Sequence, residues 1–186
     1  MDTEITAFEN SAQYEFFMND LEAVDRDVTP WIIFSGHRPM YSSSDQTDGY
    51  DLINGPWWPD VEALLLKHEV DLCLWGHVHN AEQTCPLRNG TCVETSSSNE
   101  YGGIVHAVIG NAGQSLSAFH NETSWSLWRF PEFGYSSIEV VGRKNLTMRF
   151  FADSNHTVVH EFTIQGKNHS SKSTSNKYNR RRSSKF

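Results

Sequence analysis

Long apolar runs are missing from this sequence: no stretch approaches the roughly 20 consecutive apolar residues that cross a membrane. The chain also opens without the apolar leader of a secreted protein. Acidic residues are missing from the last 21 residues, which begin at Gly166 and carry seven Lys and Arg with almost nothing apolar. We therefore expect no membrane association, and the composition of residues 166–186 predicts a disordered basic tail.

Residues 1–165 have the composition of a globular protein. Over the whole chain, 38% of the residues are hydrophobic and 12% are aromatic, which predicts one domain with a packed core. Residues 1–165 contain eight Lys and Arg and all 23 Asp and Glu, so this part of the chain carries a charge of about −15. So acidic a body argues against nucleic-acid binding.

N-glycosylation sequons are frequent in this short chain. They lie at Asn89, Asn121, Asn145, Asn155 and Asn168, and none has proline in its middle position. One sequon is weak evidence, but five indicate a secreted glycoprotein. Because the chain shows no leader, we expect the natural N-terminus and its signal peptide to be missing from it.

Cysteine is scarce, with three residues in the chain. Cys73 lies in an apolar run and is expected to be a core thiol. Cys85 and Cys92 bracket the short segment CPLRNGTC. A local disulfide between them fits an oxidising compartment, and three free thiols in a cytosolic protein are the alternative.

A βαβ unit is predicted in the first half of the chain. WIIFSGH lacks polar alternation, which favours a strand covered on both faces. PDVEALLLKHEV places Val61 and Leu65 on one face of a helix, and VDLCLWGH is a second buried strand. Strand, helix and strand in this order predict two parallel strands.

An earlier helix and a later set of strands complete the prediction. Tyr14, Phe17 and Leu21 have helical spacing, with Asn10 and Gln13 as an expected capping pair. Four short strands with turn segments between them are expected later, in IVHAVIG, SSIEVVG, LTMRFFA and TVVHEFTI. The pattern is typical of an α/β protein with parallel strands at the front and antiparallel strands at the back.

Both strands of the βαβ unit end in Gly-His, which makes these ends candidate metal ligands. His37 follows the first strand, and His77 and His79 follow the second. Sites of α/β sheets form at the carboxyl ends of strands, and imidazole binds zinc and iron. Gly36 before His37 and Gly76 before His77 are expected to let the backbone turn.

Alternatives to a catalytic metal site remain open for these histidines. Each could be an ordinary polar residue at a strand end. A structural zinc site could combine His77 and His79 with Cys85 and Cys92. A different His-x-His hydrolase, such as an amidohydrolase, is disfavoured because it needs repeated strand and helix units after the motif.

Two segments of the chain carry a family resemblance. SGHRPMYSS and LWGHVHNAEQTCP, in this order, resemble the last two metal-binding blocks of the purple acid phosphatases within the metallophosphoesterases. The usual sequence of that family is close to VDRDVTPWIIFSGHRPMY. Its C-terminal segment, which would begin at about residue 103, resembles FPEFGYSSIEVV. The resemblance spans roughly residues 1–165 and implies the C-terminal part of a catalytic domain, a partial αββα sandwich.

The resemblance implies a dinuclear centre that hydrolyses phosphate esters. One ion would be Fe(III) and the other a divalent iron, zinc or manganese ion. By position, His37 and His77 would bind the divalent ion and His79 the ferric ion, while Arg38 and Tyr41 could contact the substrate. The implied substrates are small phosphate esters, and assembly as a homodimer is left open.

Departures from the family pattern are as informative as the matches. The Asp-x-Gly, Gly-Asp-x-x-Tyr and Gly-Asn-His blocks, which supply the other ligands, do not occur in the chain. After GHVH, only Glu82 of the usual Ala-Tyr-Glu-Arg is kept. We therefore expect a partial site that is nearly inactive alone. The alternative is an inactive secreted glycoprotein fragment that binds at most one metal ion.

Overall fold

Helices and short strands alternate in the first half of the computed structural model, which describes residues 1–5, 7–44, 58–93, 102–120 and 123–166. The elements are α1 (Ala12–Ala23), β1 (Ile33–Gly36), α2 (Trp58–Lys67), β2 (Leu72–Trp75), β3 (Ala81–Thr84), β4 (Leu87–Arg88), β5 (Thr91–Cys92), β6 (Val105–Ile109), β7 (Ser126–Phe130), β8 (Gly134–Val141), β9 (Asn145–Ala152) and β10 (Val158–Gln165). Within these ranges no helix has both the length and the apolar character to cross a membrane. The predicted basic tail, apart from Gly166, lies outside the described residues.

The central sheet has the strand order β1-β2-β6-β3-β7. Strands β1, β2 and β6 run parallel, whereas β3 runs antiparallel to both of its neighbours, β6 and β7. A second, antiparallel sheet has the order β10-β9-β8, and β4 and β5 form a small hairpin. The predicted α/β fold, with parallel strands and separate antiparallel strands, is confirmed.

Two apolar clusters cover opposite faces of the central sheet. Cys73 and Trp75 pack with the helices α1 and α2, while Leu72 packs against Met148 and Phe150 of β9. Neighbouring residues of β2 belong to different clusters because successive residues of a strand point to opposite faces of the sheet. The chain thus stacks a helical layer, the central sheet and the second sheet, which accounts for three layers of the predicted sandwich.

The start of α1 differs from the prediction. Ser11 caps the helix, since its side chain accepts a hydrogen bond from the backbone N–H of Tyr14. Asn10 precedes the cap with a φ of 70°, and the Gln13 side chain exchanges hydrogen bonds with the backbone of Asp2. The predicted Asn10–Gln13 pair is therefore wrong, because Asn10 lies one residue before the capping position.

Strand β1 pairs with β2 in parallel, as the βαβ pattern predicts, from Ile33 opposite Leu72 to Gly36 opposite Trp75. The expected burial of both faces is wrong. β1 is the edge of the sheet, and Ile33 remains 41% exposed. An apolar strand sequence does not distinguish an edge from the centre of a sheet.

Strand β6 was expected among the antiparallel strands but pairs in parallel with β2, with Cys73 opposite His106. Two further strands of this sheet, β3 and β7, are not among the predicted strands. The residues of β3, AEQT, are all buried although three of them are polar. The central sheet therefore combines the βαβ unit with strands from the later half of the chain.

The cysteines are arranged as the disulfide hypothesis requires. Cys85 and Cys92 form a disulfide with a Cα–Cα distance of 5.7 Å, and Cys73 is a buried free thiol. The alternative of a structural zinc site is excluded for these two cysteines, because their sulfur atoms are bonded to each other.

His106 is a buried titratable residue in the core. Its Nδ1 accepts a hydrogen bond of 3.0 Å from the Trp75 indole N–H, and its ring stacks on the Trp75 ring. Only 1% of its surface is exposed, and burial lowers its pKa from 6.5 to about 3. The folded protein therefore holds His106 neutral at every pH above that value.

We expect this residue to make the protein sensitive to acid. The unfolded chain takes up a proton near pH 6.5 but the folded chain does not, so stability is lost as pH falls from 6.5 toward 3. Between pH 7 and pH 5 the loss is about 2 kcal/mol, measurable by urea denaturation. A His106→Gln variant should show a flatter pH dependence. Equal slopes for both proteins, with an imidazole resonance of His106 that titrates near pH 6.5, would contradict the prediction.

Candidate functional site

The two histidine motifs meet at one edge of the central sheet. β1 and β2 are adjacent and parallel, and their last paired residues are Gly36 and Trp75. His37 follows β1, and the backbone N–H of Gly76 donates to the carbonyl of His37 over 2.9 Å. The loop that carries His77 is thereby held against the loop that carries His37.

The side chains of His37 and His77 converge. His37 Nε2 lies 3.1 Å from His77 Nδ1, and the ring centroids are 5.0 Å apart at an interplanar angle of 77°. Two nitrogens at this separation, each about 2.1 Å from one ion, would subtend an angle of about 95° at that ion. The pair therefore fits a single divalent ion as a chelating pair of ligands.

The backbone at the site departs from the expected use of glycine. His77 itself adopts a left-handed conformation, with a φ of 60°, whereas neither Gly36 nor Gly76 has a positive φ. A Cβ on Gly36 would lie 2.7 Å from the Trp75 ring, so glycine is needed there for close packing. Positive φ in a non-glycine residue is uncommon and concentrates at functional sites.

Arg38 contacts both a carboxylate and a ligand candidate. Its guanidinium is ion-paired with Glu4, with Nη2 donating to Glu4 Oε2 over 3.0 Å, and its Nη1 lies 3.2 Å from His77 Nε2. The hydrogen bond from Arg38 lowers the pKa of the Glu4 carboxyl. The structure thus joins Arg38, expected at the substrate, to His77 and to an acidic partner.

His79 contacts the segment after β6. Its Nδ1 is 3.0 Å from Ser115 Oγ, and its backbone N–H donates to Ser117 Oγ over 3.1 Å. Within the described ranges, no group of three His, Cys, Asp or Glu side chains is placed to hold a metal ion. These residues alone do not fit a dinuclear centre, although the His37–His77 pair fits one ion.

Tyr41 has structural partners. Its hydroxyl donates to Glu62 over 2.9 Å and accepts from the backbone N–H of Gly90, while Glu62 also accepts from the backbone N–H of Asn89. Burial and the neighbouring carboxylate raise the pKa of Tyr41. Tyr41, expected to contact substrate, therefore fastens the hairpin of β4 and β5 to the loop after His37.

Glu82 joins the two histidine loops, a role that the sequence reasoning missed. Its fully buried carboxylate accepts hydrogen bonds from the backbone N–H of Ser43 over 2.9 Å, from the Ser43 hydroxyl, and from the Ser126 hydroxyl over 2.5 Å. Arg129 Nε lies 3.7 Å from the same carboxylate. The signal was visible in the glutamate that is kept after GHVH.

Asn80, beside the histidine loop, makes a second connection between the same segments. Its side-chain Nδ2 donates to Ser44 Oγ over 2.5 Å and lies 3.4 Å from the carbonyl of Ser117. Ser117 also contacts the backbone of His79. The loops after β1, β2 and β6 are therefore fastened to one another beside the histidines.

The sequons differ in their surroundings. Asn89 and Asn155 are exposed and lie in turns, whereas Asn145 begins β9 and is half-buried beside the fully buried Leu146. Asn121 and Asn168 lie outside the described residues. Of the described sequons, Asn89 and Asn155 are thus the more accessible to a glycan.

Two family models match the chain. The model of calcineurin-like phosphoesterases matches residues 2–81, which include both histidine motifs. The model described as iron/zinc purple acid phosphatase-like protein C matches residues 103–161. Together the two models match residues 2–81 and 103–161.

Similar proteins include plant purple acid phosphatases. The chain is 34% identical to probable inactive purple acid phosphatase 27 of Arabidopsis thaliana over 88% of its own length and 28% of that protein. It is 32% identical to a nucleotide pyrophosphatase/phosphodiesterase of Hordeum vulgare, covering 84% of this chain and 44% of that one. The chain thus spans less than half of either relative.

A solved structure agrees with the fold and the sequence. Purple acid phosphatase PPD1 from yellow lupin (Lupinus luteus) seeds superposes with a TM-score of 0.80 at 32% identity, over 88% of this chain and 30% of that one. None of these similarities supports a homodimer. The repeated barrel of an amidohydrolase is excluded by the same fold. The chain belongs to the purple acid phosphatases, within the calcineurin-like phosphoesterases.

Proposed function

We propose that residues 1–165 form the C-terminal part of a catalytic domain that hydrolyses phosphate esters at a dinuclear metal centre. In the complete enzyme, Fe(III) and a divalent iron, zinc or manganese ion would hold a small phosphate ester and activate a water molecule. His37 and His77 would bind the divalent ion, and His79 the ferric ion. Membership in the family supports the reaction class, and the residues of this chain supply part of the ligand set.

The single observation that carries the proposal is the distance of 3.1 Å between His37 Nε2 and His77 Nδ1. At this distance one nitrogen can donate a hydrogen bond to the other in the metal-free protein, and both nitrogens could bind one cation once that proton is displaced. A bound cation would also offset the acidic composition of the chain, which by itself repels phosphate. Taken alone, the described residues offer one divalent ion a pair of ligands and do not complete the site.

We expect the chain to bind one Zn²⁺ through these two histidines, without measurable hydrolysis of p-nitrophenyl phosphate. Titration calorimetry should give one ion per chain, and His77→Ala should weaken binding at least about tenfold because the chelating pair is lost. His156→Ala, which removes an exposed histidine far along the sequence, is the matched control. Equal Zn²⁺ affinity for His77→Ala and the wild type would overturn the site.

The second candidate function is a non-catalytic glycoprotein that binds at most one ion. It is supported by the absence of a third suitable ligand near His37 and His77 among the described residues, and by a relative whose name includes "probable inactive". Co-expression with a polypeptide that carries the three missing blocks separates the candidates. Phosphatase activity that depends on His77 supports the first, and a stable complex without activity supports the second.

A secretory route is the proposed cellular context. The Cys85–Cys92 disulfide fits an oxidising compartment, and the five sequons fit passage through one. Expression in a eukaryotic secretory host behind a heterologous leader, followed by glycan removal, tests this context. A protein whose mobility is unchanged by the glycosidase would contradict it.

A further inference from the structure

Arg38 fixes the position of a proton on His77. A guanidinium is only a donor of hydrogen bonds, so His77 Nε2, 3.2 Å from Arg38 Nη1, must be the acceptor. A neutral imidazole carries one proton, which therefore lies on Nδ1 of His77. That N–H points to His37 Nε2 over 3.1 Å, and His37 accepts it.

Metal binding by the pair requires the opposite tautomer. The Nδ1 of His77 faces His37 and must offer its lone pair to the ion, so the ring proton moves to Nε2. The new Nε2–H then points at the N–H groups of Arg38, and two donors face each other. The contact between Arg38 and His77 is therefore compatible with the metal-free pair and not with the loaded pair.

We propose that Arg38 is a positioning residue that opposes metal binding at the His37–His77 pair, so that loading requires the guanidinium to leave His77. This inference rests on the proposed metal site. The guanidinium also places a positive charge beside the ion. The resulting repulsion weakens metal binding, as the tautomer fixed by Arg38 does.

The N-terminal segment holds Arg38 in place. Glu4 is ion-paired with the guanidinium, and the backbone N–H of Arg38 donates to Thr3 Oγ1 over 3.0 Å. The backbone nitrogen of Met1 lies 2.7 Å from the carbonyl oxygen of Ser35 in β1. Residues 1–4 therefore lie along β1, and the carboxylate that retains Arg38 comes with them.

Arg38→Gln is the decisive variant, because a glutamine carbonyl can accept the Nε2–H of metal-loaded His77 and carries no charge. We expect Zn²⁺ to bind this variant about tenfold more tightly than the wild type at constant pH. Arg149→Gln is the matched control, since Arg149 is also paired with carboxylates, Glu139 and Glu161, but lies in the second sheet. Its Zn²⁺ affinity should equal that of the wild type.

A second readout reports the proton directly. Long-range ¹H–¹⁵N spectra of the metal-free wild type should show His77 protonated on Nδ1, and addition of Zn²⁺ should move the proton to Nε2. A purely structural ion pair between Arg38 and Glu4 would affect melting temperature and leave this tautomer unchanged. Metal-free wild type protonated on His77 Nε2 would overturn the inference.

The outcomes separate this inference from the proposed site. If the wild type binds Zn²⁺ through His37 and His77 but Arg38→Gln binds no more tightly, the inference fails and the site stands. If neither protein binds Zn²⁺, both fail. Binding by Arg38→Gln with little or none by the wild type supports both.

Discussion

Glu82→Gln is expected to lower the free energy of unfolding by about 4 kcal/mol, because a fully buried carboxylate with several donors around it loses its charge. The amide that replaces it presents two N–H groups to an environment made of donors. The backbone N–H of Ser43, two hydroxyls and the guanidinium of Arg129 all face this carboxylate. At least one buried donor is then left without an acceptor.

Urea denaturation of the purified variant measures the effect, and Glu139→Gln provides the control. Glu139 is also a carboxylate paired with an arginine, Arg149, at 2.7 Å, but it is 57% exposed. An exposed pair contributes at most about 1 kcal/mol, so this variant should unfold close to the wild type. Similar losses in the two variants would show that Glu82 does not hold the two histidine loops together.

Gly110→Ala is expected to lower the free energy of unfolding by about 3 kcal/mol or to prevent folding. A Cβ at position 110 would lie 2.0 Å from the backbone carbonyl oxygen of Val78, between the two histidines of GHVH. Backbone atoms cannot yield as a flexible side chain can. The loop that carries His77 and His79 would have to move away from the end of β6.

Gly76→Ala is the matched control in the same loop. There a Cβ would meet His37 Nδ1 at 3.4 Å, an ordinary contact, and the backbone φ is not positive. This substitution should change the free energy of unfolding by no more than about 0.5 kcal/mol. Thermal melts of both variants test the pair, and a larger loss for Gly76→Ala than for Gly110→Ala would refute the packing argument.

The pairing of His37 with His77 could be predicted from the sequence. Two buried strands connected by a helix must run parallel, so their carboxyl ends meet and the residues that follow become neighbours. His79 is two residues beyond His77, but its side chain contacts Ser115 instead. Strand patterns place residues at an edge of a sheet and do not give the direction of each side chain.

The surroundings of the site could not be predicted, because they depend on contacts between distant segments. β3 has no β-branched or aromatic residue except Thr84, so its sequence gives no strand signal. It forms a strand because β6 and β7 enclose it and its buried polar groups find partners, as Glu82 does with Ser43. Likewise, an arginine among many carboxylates gives no indication that Glu4 is its partner.

The position of β3 between β6 and β7 also determines when the site can form during synthesis. The strand is made soon after the histidine loop, but its neighbours follow roughly 25 and 45 residues later, and β7 ends at Phe130. Long-range pairing of this kind is slow and must wait for the later segments. On the ribosome, β1 and β2 with His37 and His77 are therefore made early, but Glu82, which fastens the surrounding loops, gains its partner Ser126 only once β7 is made.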